Sequence, residues 1–483
     1  MTFIIEVDVP APPKRAHGEA FDPCGHVANG HRIAQHFGDK LMFVEGIGWH
    51  VWGPPWRLDE LAAHKVAMGL GQIIAKEAAE RAAVCGADDP DAKRLFAWAG
   101  QSERAQHLRA SLAMAAPLLS IKAEQLDADP WLLGCPGGVL ELQTGVFREH
   151  RHSDLVTKVT GADFDPEARA PLWERFIAEA MAGDAELIDY LQRLCGYLLC
   201  GLRGEHLLPI FHGAGGNGKS VALGTLQSLL GDYAGSAAPG LLIQQHGSEH
   251  PTALADLQGK RLVIASETGE GGRLAEDQVK LLTGGDRISA RRMRMDFYSF
   301  MPTHQIILQT NHRPRVAGTD EGIWRRLRLV PWTVVVPPER RDPYLPGKLR
   351  KELPGILAWC YEGFTRQYTH GFNAPAAVSA ATAAYREASD VVGQFLSECC
   401  DLDPYATETA RALYSAYAQW TEDSGERQLS QAELGKRLED RGLERHRSNG
   451  IRRWRGVRVL DSAGSAASAG TLGISSLARS HER

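Results

Sequence analysis

The stretch LLPIFHGAGGNGKSVALG, residues 207–224, decides the fold of this chain. Within it, GAGGNGKS at 213–220 fits the pattern G-x-x-x-x-G-K-[ST] in full. Glycines let successive backbone N–H groups point inward, and a following helix adds the partial positive charge of its N-terminus. The apolar run LLPIFH predicts a strand before the loop. SVALGTLQSLLGDY predicts a helix after it, with Gly231 at the C-cap. The sequence therefore predicts a phosphate-binding loop between a strand and a helix.

This loop predicts a site for ATP and Mg²⁺. Lys219 is expected to reach the β- and γ-phosphates, and Ser220 is expected to ligate the metal. An ordinary glycine-rich turn is the alternative, but the strand and helix on either side argue against it. The expected nucleotide-binding residues are Gly213, Gly215, Gly216, Asn217, Gly218, Lys219, Ser220 and Val221.

Length and composition indicate a multidomain globular protein. The chain has 483 residues, 43% hydrophobic and 23% charged, with a formal charge of -5. This mild acidity argues against coating nucleic acid by bulk charge, although a local basic patch remains compatible with it. The eight cysteines include no C-x-x-C pair, which predicts reduced thiols in a cytosolic protein. No signal-peptide layout and no apolar run of the ~20 residues that a membrane helix needs is present.

Apolar strand candidates alternate with helical segments between residues 205 and 335. LLPIF, RLVIAS, HQIILQT and LRLVPW are the strand candidates, so this region predicts an α/β sheet. Upstream, LMFVEGIGWHVW predicts a hairpin around Gly46 and Gly48, and the Ala-rich residues 57–125 predict helices with a break at Cys85. Residues 171–201 are predicted to be helical, with one apolar stripe at Leu187, Leu191, Leu194 and Leu198.

Hydrolysis also needs an acid, a polar group near the γ-phosphate and a positive charge. The strand RLVIASET ends in Glu267, and HQIILQT is followed by Asn311. Ligands of such sheets bind at the carboxyl ends of the strands, which favours both residues as site residues. A turn before proline is the alternative for Asn311. Arg325 and Arg326 begin the next strand, where a solvated edge and an arginine finger are the two interpretations.

Two Arg-rich hairpins predict contacts with DNA. The first, TGGDRISARRMRMDF, carries Arg291, Arg292 and Arg294; protection of an edge strand is the alternative. The second, LERHRSNGIRRWRGVRVL, turns at Asn449-Gly450 and follows two helices with predicted N-caps at Thr407 and Ser430. Helix, helix and basic wing is a winged-helix pattern, with a solvated basic hairpin as the alternative. Its expected DNA contacts are Arg452, Arg453 and Arg455.

The order of these motifs resembles the superfamily 3 helicase core, and more narrowly the helicase half of phage, plasmid and poxvirus-type primase-helicases. LQGKRLVIASETGEG, then DQVKLLTGGDRISARRMRMDFYSFMPTHQIILQTNHRP, then GIWRRLRLVPW carry the resemblance, which covers about residues 130–460. The resemblance implies an AAA+-like P-loop ATPase. Its Walker A residues would be Gly213, Gly218, Lys219 and Ser220, its Walker B acid and second Mg²⁺ ligand Glu267, and its sensor Asn311. Arg326, with Arg325 beside it, matches the arginine finger that acts in trans. The hairpin of Arg291, Arg292 and Arg294 would line the central channel of a hexamer.

Fuller members of this family carry a primase with D-x-D carboxylates upstream. The D-x-D patterns here, Asp127-Ala-Asp129 and Asp401-Leu-Asp403, lie in Pro-containing loops, so turns are the preferred interpretation. Too little chain precedes residue 130 for a primase and a helical linker, so we expect a helicase without its own primase. The family often shows paired acids on the Walker B strand. Here Thr268 follows Glu267, so only one carboxylate is certain.

The expected architecture is multidomain α/β, with a mostly helical domain before the ATPase core and a winged-helix-like domain after it. The expected activity is ATP-dependent DNA translocation in phage or mobile-element replication, in the cytoplasm of a bacterial host, by a ring-forming homo-oligomer. Alternatives are a helicase subunit that works with a separate primase in origin melting or loading, a non-motor DNA-binding initiator, and a P-loop phosphotransferase. The expected segments are a linker or cap region at 1–125, the helical domain at 126–204, the core at 205–345, a helical connector at 346–390, the winged-helix-like domain at 391–460 and a disordered tail at 461–483.

Overall fold

The structure is a computed structural model that describes residues 22–244, 252–267, 272–291, 297–316 and 320–460. The predicted tail at 461–483 and the predicted contacts Arg292 and Arg294 lie outside these residues. Two compact units share the chain. The first holds Asp320–Ala381 and the described residues before 315, and the second holds residues 382–460 with Arg315 and Val316.

The N-terminal part of the first unit combines a small sheet with Ala-rich helices. The sheet order is β3-β2-β1-β4, and β1 pairs with β2 as the hairpin predicted around Gly46 and Gly48. Four helices occupy the Ala-rich stretch, and the predicted break after Cys85 is confirmed. The elements are α1 His26–Phe37, β1 Leu41–Val44, β2 Gly48–Trp52, β3 Trp56–Leu58, α2 Glu60–Ala67, α3 Leu70–Cys85, α4 Pro90–Ser102, α5 Ala105–Ala115 and β4 Ser120–Ile121.

A three-stranded antiparallel sheet follows, and after it two helices lie within residues 171–201, the stretch that was predicted to be helical. The first of these helices ends before Ala182 and Gly183, which adopt positive φ angles of 55° and 74°, and Asp184 then caps the second helix. The predicted leucine stripe is buried on this second helix. The elements are β5 Leu132–Cys135, β6 Gly138–Glu141, β7 Val146–Arg148, α6 Pro171–Ala180 and α7 Ala185–Tyr197.

The centre of the first unit is a five-stranded sheet in which every pairing is parallel. All four predicted strands are present, and a fifth, β9, lies at the edge. The sheet order is β14-β8-β13-β10-β9. The elements are β8 Leu208–His212, α8 Lys219–Leu230, β9 Ala234–Ser236, α9 Thr252–Ala255, β10 Leu262–Glu267, α10 Glu276–Thr283, β11 Ile288–Arg291, β12 Phe297–Phe300, β13 Gln305–Thr310, α11 Glu321–Trp324 and β14 Leu327–Pro331.

This sheet buries apolar side chains on both faces, as a parallel sheet covered by helices requires. Ile210, Ile307 and Leu308 are fully buried. β11 and β12 pair antiparallel and form a separate two-stranded ribbon between β10 and β13 in the chain. Three further helices follow the sheet. They are α12 Leu345–Arg350, α13 Leu353–His370 and α14 Ala376–Ser389, the last of which crosses the boundary between the two units.

The preceding domain is fixed to the sheet by close backbone contacts and a buried cation. A Cβ on Gly363 of α13 would lie 2.0 Å from the carbonyl oxygen of Gln192 on α7, so this position requires glycine. Arg261, at the start of β10, donates to the Leu132 carbonyl at 2.6 Å and lies 4.5 Å from the centre of the Tyr233 ring. A single core therefore runs through both parts.

The second unit follows the order helix, strand, helix, helix, strand, strand around its main sheet, β16-β18-β17. Ser430 is the predicted N-cap and forms a capping box with Glu433. The prediction of Thr407 as a cap is wrong: Thr407 pairs in a strand, and Thr409 accepts the capping bond from the Ala412 N–H. The elements are α15 Val391–Cys399, β15 Cys400–Asp401, β16 Thr407–Thr409, α16 Ala410–Ser424, α17 Gln431–Glu439, β17 Glu444–Ser448, β18 Ile451–Arg455 and β19 Arg458–Val459.

Candidate functional site

Four neighbouring strands of the parallel sheet end at the same level. His212 on β8 is the register partner of Thr310 on β13 and of Pro331 on β14, and Thr310 is in turn the partner of Glu267 on β10. The segment that follows β8 is the glycine loop, and the residue that follows β13 is Asn311. The backbone positions of Glu267 and Asn311 therefore lie at the same edge of the sheet as the loop. The Glu267 side chain is outside the described part of the structure.

The glycine loop closes tightly because three of its residues lack a Cβ. Gly213, Gly216 and Gly218 all adopt positive φ angles. A Cβ on Gly213 would lie 2.1 Å from the carbonyl oxygen of Trp332, and one on Gly218 would lie 3.0 Å from the Phe176 ring. Gly218 is also the N-cap of α8, so the loop leads directly into the N-terminus of a twelve-residue helix. Such a terminus offers unpaired N–H groups to an anion.

Lys219 is held inside the loop rather than extended into solvent. Its Nζ donates to the carbonyl oxygens of Gly213 at 2.7 Å and Ala214 at 3.0 Å, and to Oδ1 of Asn217 at 2.9 Å. The residue is only 3% exposed, and burial lowers the pKa of its ammonium group below the usual value. The ammonium therefore sits at the centre of a ring of backbone dipoles, where an anionic ligand would interact strongly with it.

Asn217 connects the loop to the strand next to β8. Its side-chain Nδ2 donates to the Trp332 carbonyl at 2.8 Å while its Oδ1 accepts from Lys219. Trp332, directly after β14, also donates its backbone N–H to His212 at 2.8 Å and packs on the Phe211 ring. Asn217 is thus anchored to the residue after β14 and orients the Lys219 ammonium group.

Ser220 contacts a second strand. Nε2 of Gln309, on β13, donates to the Ser220 hydroxyl at 2.6 Å. Gln309 lies two residues before Asn311, which follows directly after the end of β13. The hydroxyl that the motif assigns to a metal is therefore oriented by an amide from the adjacent strand.

Asn311 sits in a turn fixed by its neighbours. The Thr310 hydroxyl donates to the His312 carbonyl at 2.5 Å and accepts the His312 N–H at 3.1 Å. This leaves Asn311 exposed at the sheet edge. Burial lowers the pKa of His212 at the same edge, and the charges of Arg313 and Lys219 lower it further. The cationic side chains at this edge therefore disfavour protonation of His212 and favour the binding of an anion.

The arginine pair lies at the opposite edge of the sheet. Leu327, which follows the pair, is the register partner of Leu208 at the start of β8, whereas the glycine loop follows the end of β8. The five residues of β8 span four residue-to-residue steps, so roughly 13 Å separate its two ends at about 3.3 Å per step. Neither arginine can therefore serve the loop of its own chain in this conformation.

The two arginines differ in exposure. Arg326 is only 7% exposed; its Nε donates to the Thr283 hydroxyl at 3.1 Å and its Nη1 to the Gly322 carbonyl at 2.8 Å. Arg325 is exposed. The resemblance singled out Arg326 for contact with a neighbouring subunit, but its guanidinium is engaged within its own chain. Burial, more than the adjacent charge of Arg325, lowers the Arg326 pKa.

The predicted DNA contacts fall on two separate hairpins. Arg291 ends β11 and lies 5.0 Å from the centre of the ring of Phe297, which is 60% exposed. In the second unit, β17 and β18 form the predicted hairpin, with Asn449 and Gly450 at positive φ. Its remaining predicted contacts are Arg452, which is exposed, Arg453, which is half-buried, and Arg455, which is exposed.

Several residues at the site were not singled out by the motif analysis. Gln309 carries a detectable signal, because it is a polar residue near the carboxyl end of an apolar strand, two residues before Asn311. Trp332, Phe176 and Arg341 approach the loop from distant parts of the chain, and no local pattern marks them. No described set of three or more His, Cys, Asp and Glu side chains could hold a metal ion. Among the described helices, none combines the length and apolar character that crossing a bilayer requires.

Two family models match the chain. One described as "D5 N terminal like" matches residues 30–182, and one described as "Family of unknown function (DUF5906)" matches residues 211–326. The first ends in the domain before the sheet. The second begins in β8 and ends at Arg326, so it contains the glycine loop, Glu267 and Asn311.

Similar proteins occur in large DNA viruses. A protein of Acanthamoeba polyphaga mimivirus named "Putative helicase" is 26% identical over 297 residues, which are 56% of this chain and 31% of the relative. An African swine fever virus protein named "Putative primase" is 25% identical over 370 residues, 70% of this chain and 38% of the relative. The chain spans about a third of the length of these curated relatives.

The fold also matches a solved structure. The apo structure of the NrS-1 C-terminal region aligns with a TM-score of 0.54 and 10% identity, over 91% of this chain and 100% of that chain. At this identity the match concerns the fold alone. The family models and the viral relatives agree with one another: the chain resembles D5-type primase-helicases.

Proposed function

We propose that this protein is an ATP-dependent DNA helicase or translocase of viral or mobile-element replication, with an AAA+-like P-loop core of the superfamily 3 type. The observation that carries the proposal is the common edge of the parallel sheet, where the glycine loop, Glu267 and Asn311 follow three adjacent strands. Relatives named as helicases and primases support a role in nucleic-acid replication.

The loop fits the phosphates of a nucleotide. Gly213 and Gly218 allow the loop to pack tightly against Trp332 and Phe176, and the helix N-terminus of α8 opens into the same loop. Lys219 is buried and donates hydrogen bonds to carbonyl oxygens. A phosphate oxygen would form a stronger, charge-assisted hydrogen bond with the same ammonium group. These features support ATP as the substrate.

The same edge offers oxygen ligands of the kind that Mg²⁺ prefers. Gln309, on β13, holds the Ser220 hydroxyl, and Glu267 is the last residue of β10, the next strand of the sheet after β13. When bound, Mg²⁺ would neutralise phosphate charge and orient the substrate. Within this arrangement Gln309 fixes the Ser220 hydroxyl, Asn217 orients Lys219, and Asn311 presents an amide to the terminal phosphate or to the attacking water.

A complete site requires an arginine charge at the transition state, and the described pair at 325–326 does not reach the loop of its own chain. Arg325 and Arg326 lie at the far edge of the sheet, and this supports a ring in which one subunit supplies an arginine to its neighbour's site. Of the two, Arg325 is the exposed candidate for contact in trans. Arg326 serves as a positioning residue, because its bonds to Thr283 and Gly322 fix the segment that carries Arg325.

Both hairpins support contact with DNA. Arg291 and the exposed Phe297 combine a cation with a surface on which a base could stack. The element order of the second unit supports a winged-helix-like domain whose β17–β18 wing carries Arg452, Arg453 and Arg455. Arg445 on the same wing is engaged internally, since it pairs with Glu439 at 2.9 Å and lies over Trp454.

One alternative keeps the ATPase but gives it a different role, in which the chain works with a separate primase in origin melting or loading. The relatives named as primases favour it. A small-molecule phosphotransferase is disfavoured by the β11–β12 ribbon and the Arg pair after Asn311. A non-motor initiator is disfavoured by the complete glycine loop.

The test compares wild-type protein with Glu267→Gln, which keeps the side-chain size and removes the charge. Hydrolysis of ATP that single-stranded DNA stimulates, and that Glu267→Gln suppresses while nucleotide binding persists, supports a DNA motor. Hydrolysis that ignores DNA, or that Glu267→Gln leaves unchanged, contradicts it.

A further inference from the structure

The chain segment after β14 folds back over the glycine loop. We refer to residues 332–341 as the strap. It starts at Trp332, whose N–H donates to His212, and its middle is fixed by a 2.9 Å bond from the Val336 N–H to the Gly216 carbonyl. The strap thus adds a backbone bond to the loop itself, in addition to the bond between Trp332 and Asn217.

The end of the strap directs one cation onto the loop. Pro337 and Pro338 fix φ at the start of a single 3₁₀ turn that spans Pro338–Arg340. Nε of Arg341 then donates back to the Val336 carbonyl at 2.9 Å, which orients its guanidinium toward Gly216. A Cβ on Gly216 would meet Nη2 of Arg341, and would lie 3.0 Å from Cζ. The guanidinium therefore lies directly against the middle of the glycine loop.

This guanidinium has no acidic partner among the described residues. Arg341 is exposed, and its described hydrogen bond uses Nε, so neither terminal nitrogen has a hydrogen-bond partner among the described residues. Other arginines in the same unit behave differently: Arg148 and Arg193 are paired with carboxylates. A planar guanidinium with free N–H donors beside inward-facing backbone N–H groups suits a phosphate oxygen.

We propose that Arg341 binds the phosphate chain of a nucleoside di- or triphosphate in cis, as the strap's contribution to the site; this inference rests on the proposed function. Arg341 acts on the loop of its own chain, in contrast to the pair at 325–326. Its contribution is therefore present in an isolated subunit. Arg341 is proposed to contribute to nucleotide binding, so the effect applies to a nucleoside diphosphate as well as to a triphosphate.

The experiment measures the binding of a fluorescent ADP analogue to the full chain and its variants, with Mg²⁺ present. We expect Arg341→Gln to raise Kd about tenfold, which corresponds to about 1.4 kcal/mol. Arg340→Gln is the matched control, because this exposed arginine lies in the same turn without contact to the loop. Its Kd should stay within about twofold of wild type by the same scale. Kd should also depend less on salt in Arg341→Gln than in the control.

The outcomes separate this inference from the proposed function. Absence of nucleotide binding by the wild-type chain contradicts the proposed function and the inference with it. Tight binding by wild type that Arg341→Gln leaves unchanged overturns the inference alone. Should Arg341→Gln lower the unfolding temperature without nucleotide, Arg341→Lys decides. It keeps the charge but not the planar guanidinium, so any affinity above that of the Gln variant supports the proposal, and affinity as weak as that of the Gln variant overturns it.

Discussion

The side-chain amide of Gln309 donates a 2.6 Å hydrogen bond to the hydroxyl of Ser220. This bond joins β13 to the first turn of α8, so the residue that the motif assigns to Mg²⁺ is oriented from the strand that also leads to Asn311. An outer partner of this kind determines how well a ligand is presented to a metal.

Replacing Gln309 with Leu should therefore reduce catalysis more than binding. We expect Mg²⁺-dependent ATP turnover to fall by roughly 10- to 100-fold, the range typical for loss of an outer partner. The measurement is kcat as a function of Mg²⁺ concentration, together with Kd for the ADP analogue without metal. Gln227→Leu is the control, since Gln227 is exposed on α8. Equal effects of both variants would refute a specific role for the Gln309–Ser220 bond.

The arginine pair should separate into a functional and a structural member. Arg325→Ala should leave stability unchanged and abolish turnover, and it should poison wild-type subunits when the two are mixed. Arg326→Ala should destabilise the fold by about 1–3 kcal/mol, because it leaves the Thr283 hydroxyl and the Gly322 carbonyl without their buried donor. Thermal unfolding and mixed-subunit ATPase assays measure both effects. A stable Arg326→Ala variant that poisons the ring, beside an active Arg325→Ala, would reverse the assignment.

His304 should make the fold sensitive to acid. Burial, followed by the charge of nearby Arg203, lowers the pKa of its imidazole to about 3. The unfolded chain takes up this proton below about pH 6.5. Stability from this group is therefore complete above pH 6.5 and is lost as the pH falls toward 3. Between pH 7.5 and 5.5 the loss is about 1 kcal/mol.

The variant His304→Phe should remove this dependence, although it can lower stability at neutral pH. Thermal unfolding at pH 7.5 and 5.5 gives the slope for each protein. The control is His370→Asn, at the exposed end of α13. The explanation fails if His304→Phe retains the full slope, or if His370→Asn removes it.

The wing of the second unit should bind DNA through phosphate charge. Each lost phosphate contact lowers the slope of log K against log salt by about 1. We expect this change for Arg452→Ala. Arg458→Ala should have a smaller effect, because Arg458 pairs with Asp401 at 2.6 Å. Duplex binding by fluorescence anisotropy between low and physiological salt measures both. Identical slopes for wild type and Arg452→Ala would favour a solvated hairpin without a DNA role.

The core of the site could be predicted from sequence because its signals are local. The glycine loop lies between an apolar run and an amphipathic helix. The strand that ends in Glu267 and the strand that precedes Asn311 are near-continuous apolar runs, which are typical of parallel strands buried on both faces. β9 was missed because Ala234–Ser236 contains no residue typical of a strand. The cap at Thr407 was misplaced by two residues because two threonines fit the same pattern, and strand pairing decided between them.

Other features depend on contacts that no local pattern contains. Arg326 is buried because it meets Thr283, a residue 43 positions earlier in the chain. Arg341 reaches the loop because the strap pairs with Gly216, which is 120 positions before Val336. The stretch at 171–201 is helical as predicted, but it is divided at Ala182, where a non-glycine residue adopts positive φ.

The most direct test of a DNA motor is ATP hydrolysis with and without single-stranded DNA, for wild type beside Lys219→Ala. Lys219 is buried in the loop, and its removal takes away the one ammonium group that the loop surrounds. We predict hydrolysis by wild type that DNA stimulates, and no hydrolysis by Lys219→Ala under either condition. Turnover that persists in Lys219→Ala, or wild-type turnover that is indifferent to DNA, would contradict the assignment of this chain as a DNA motor.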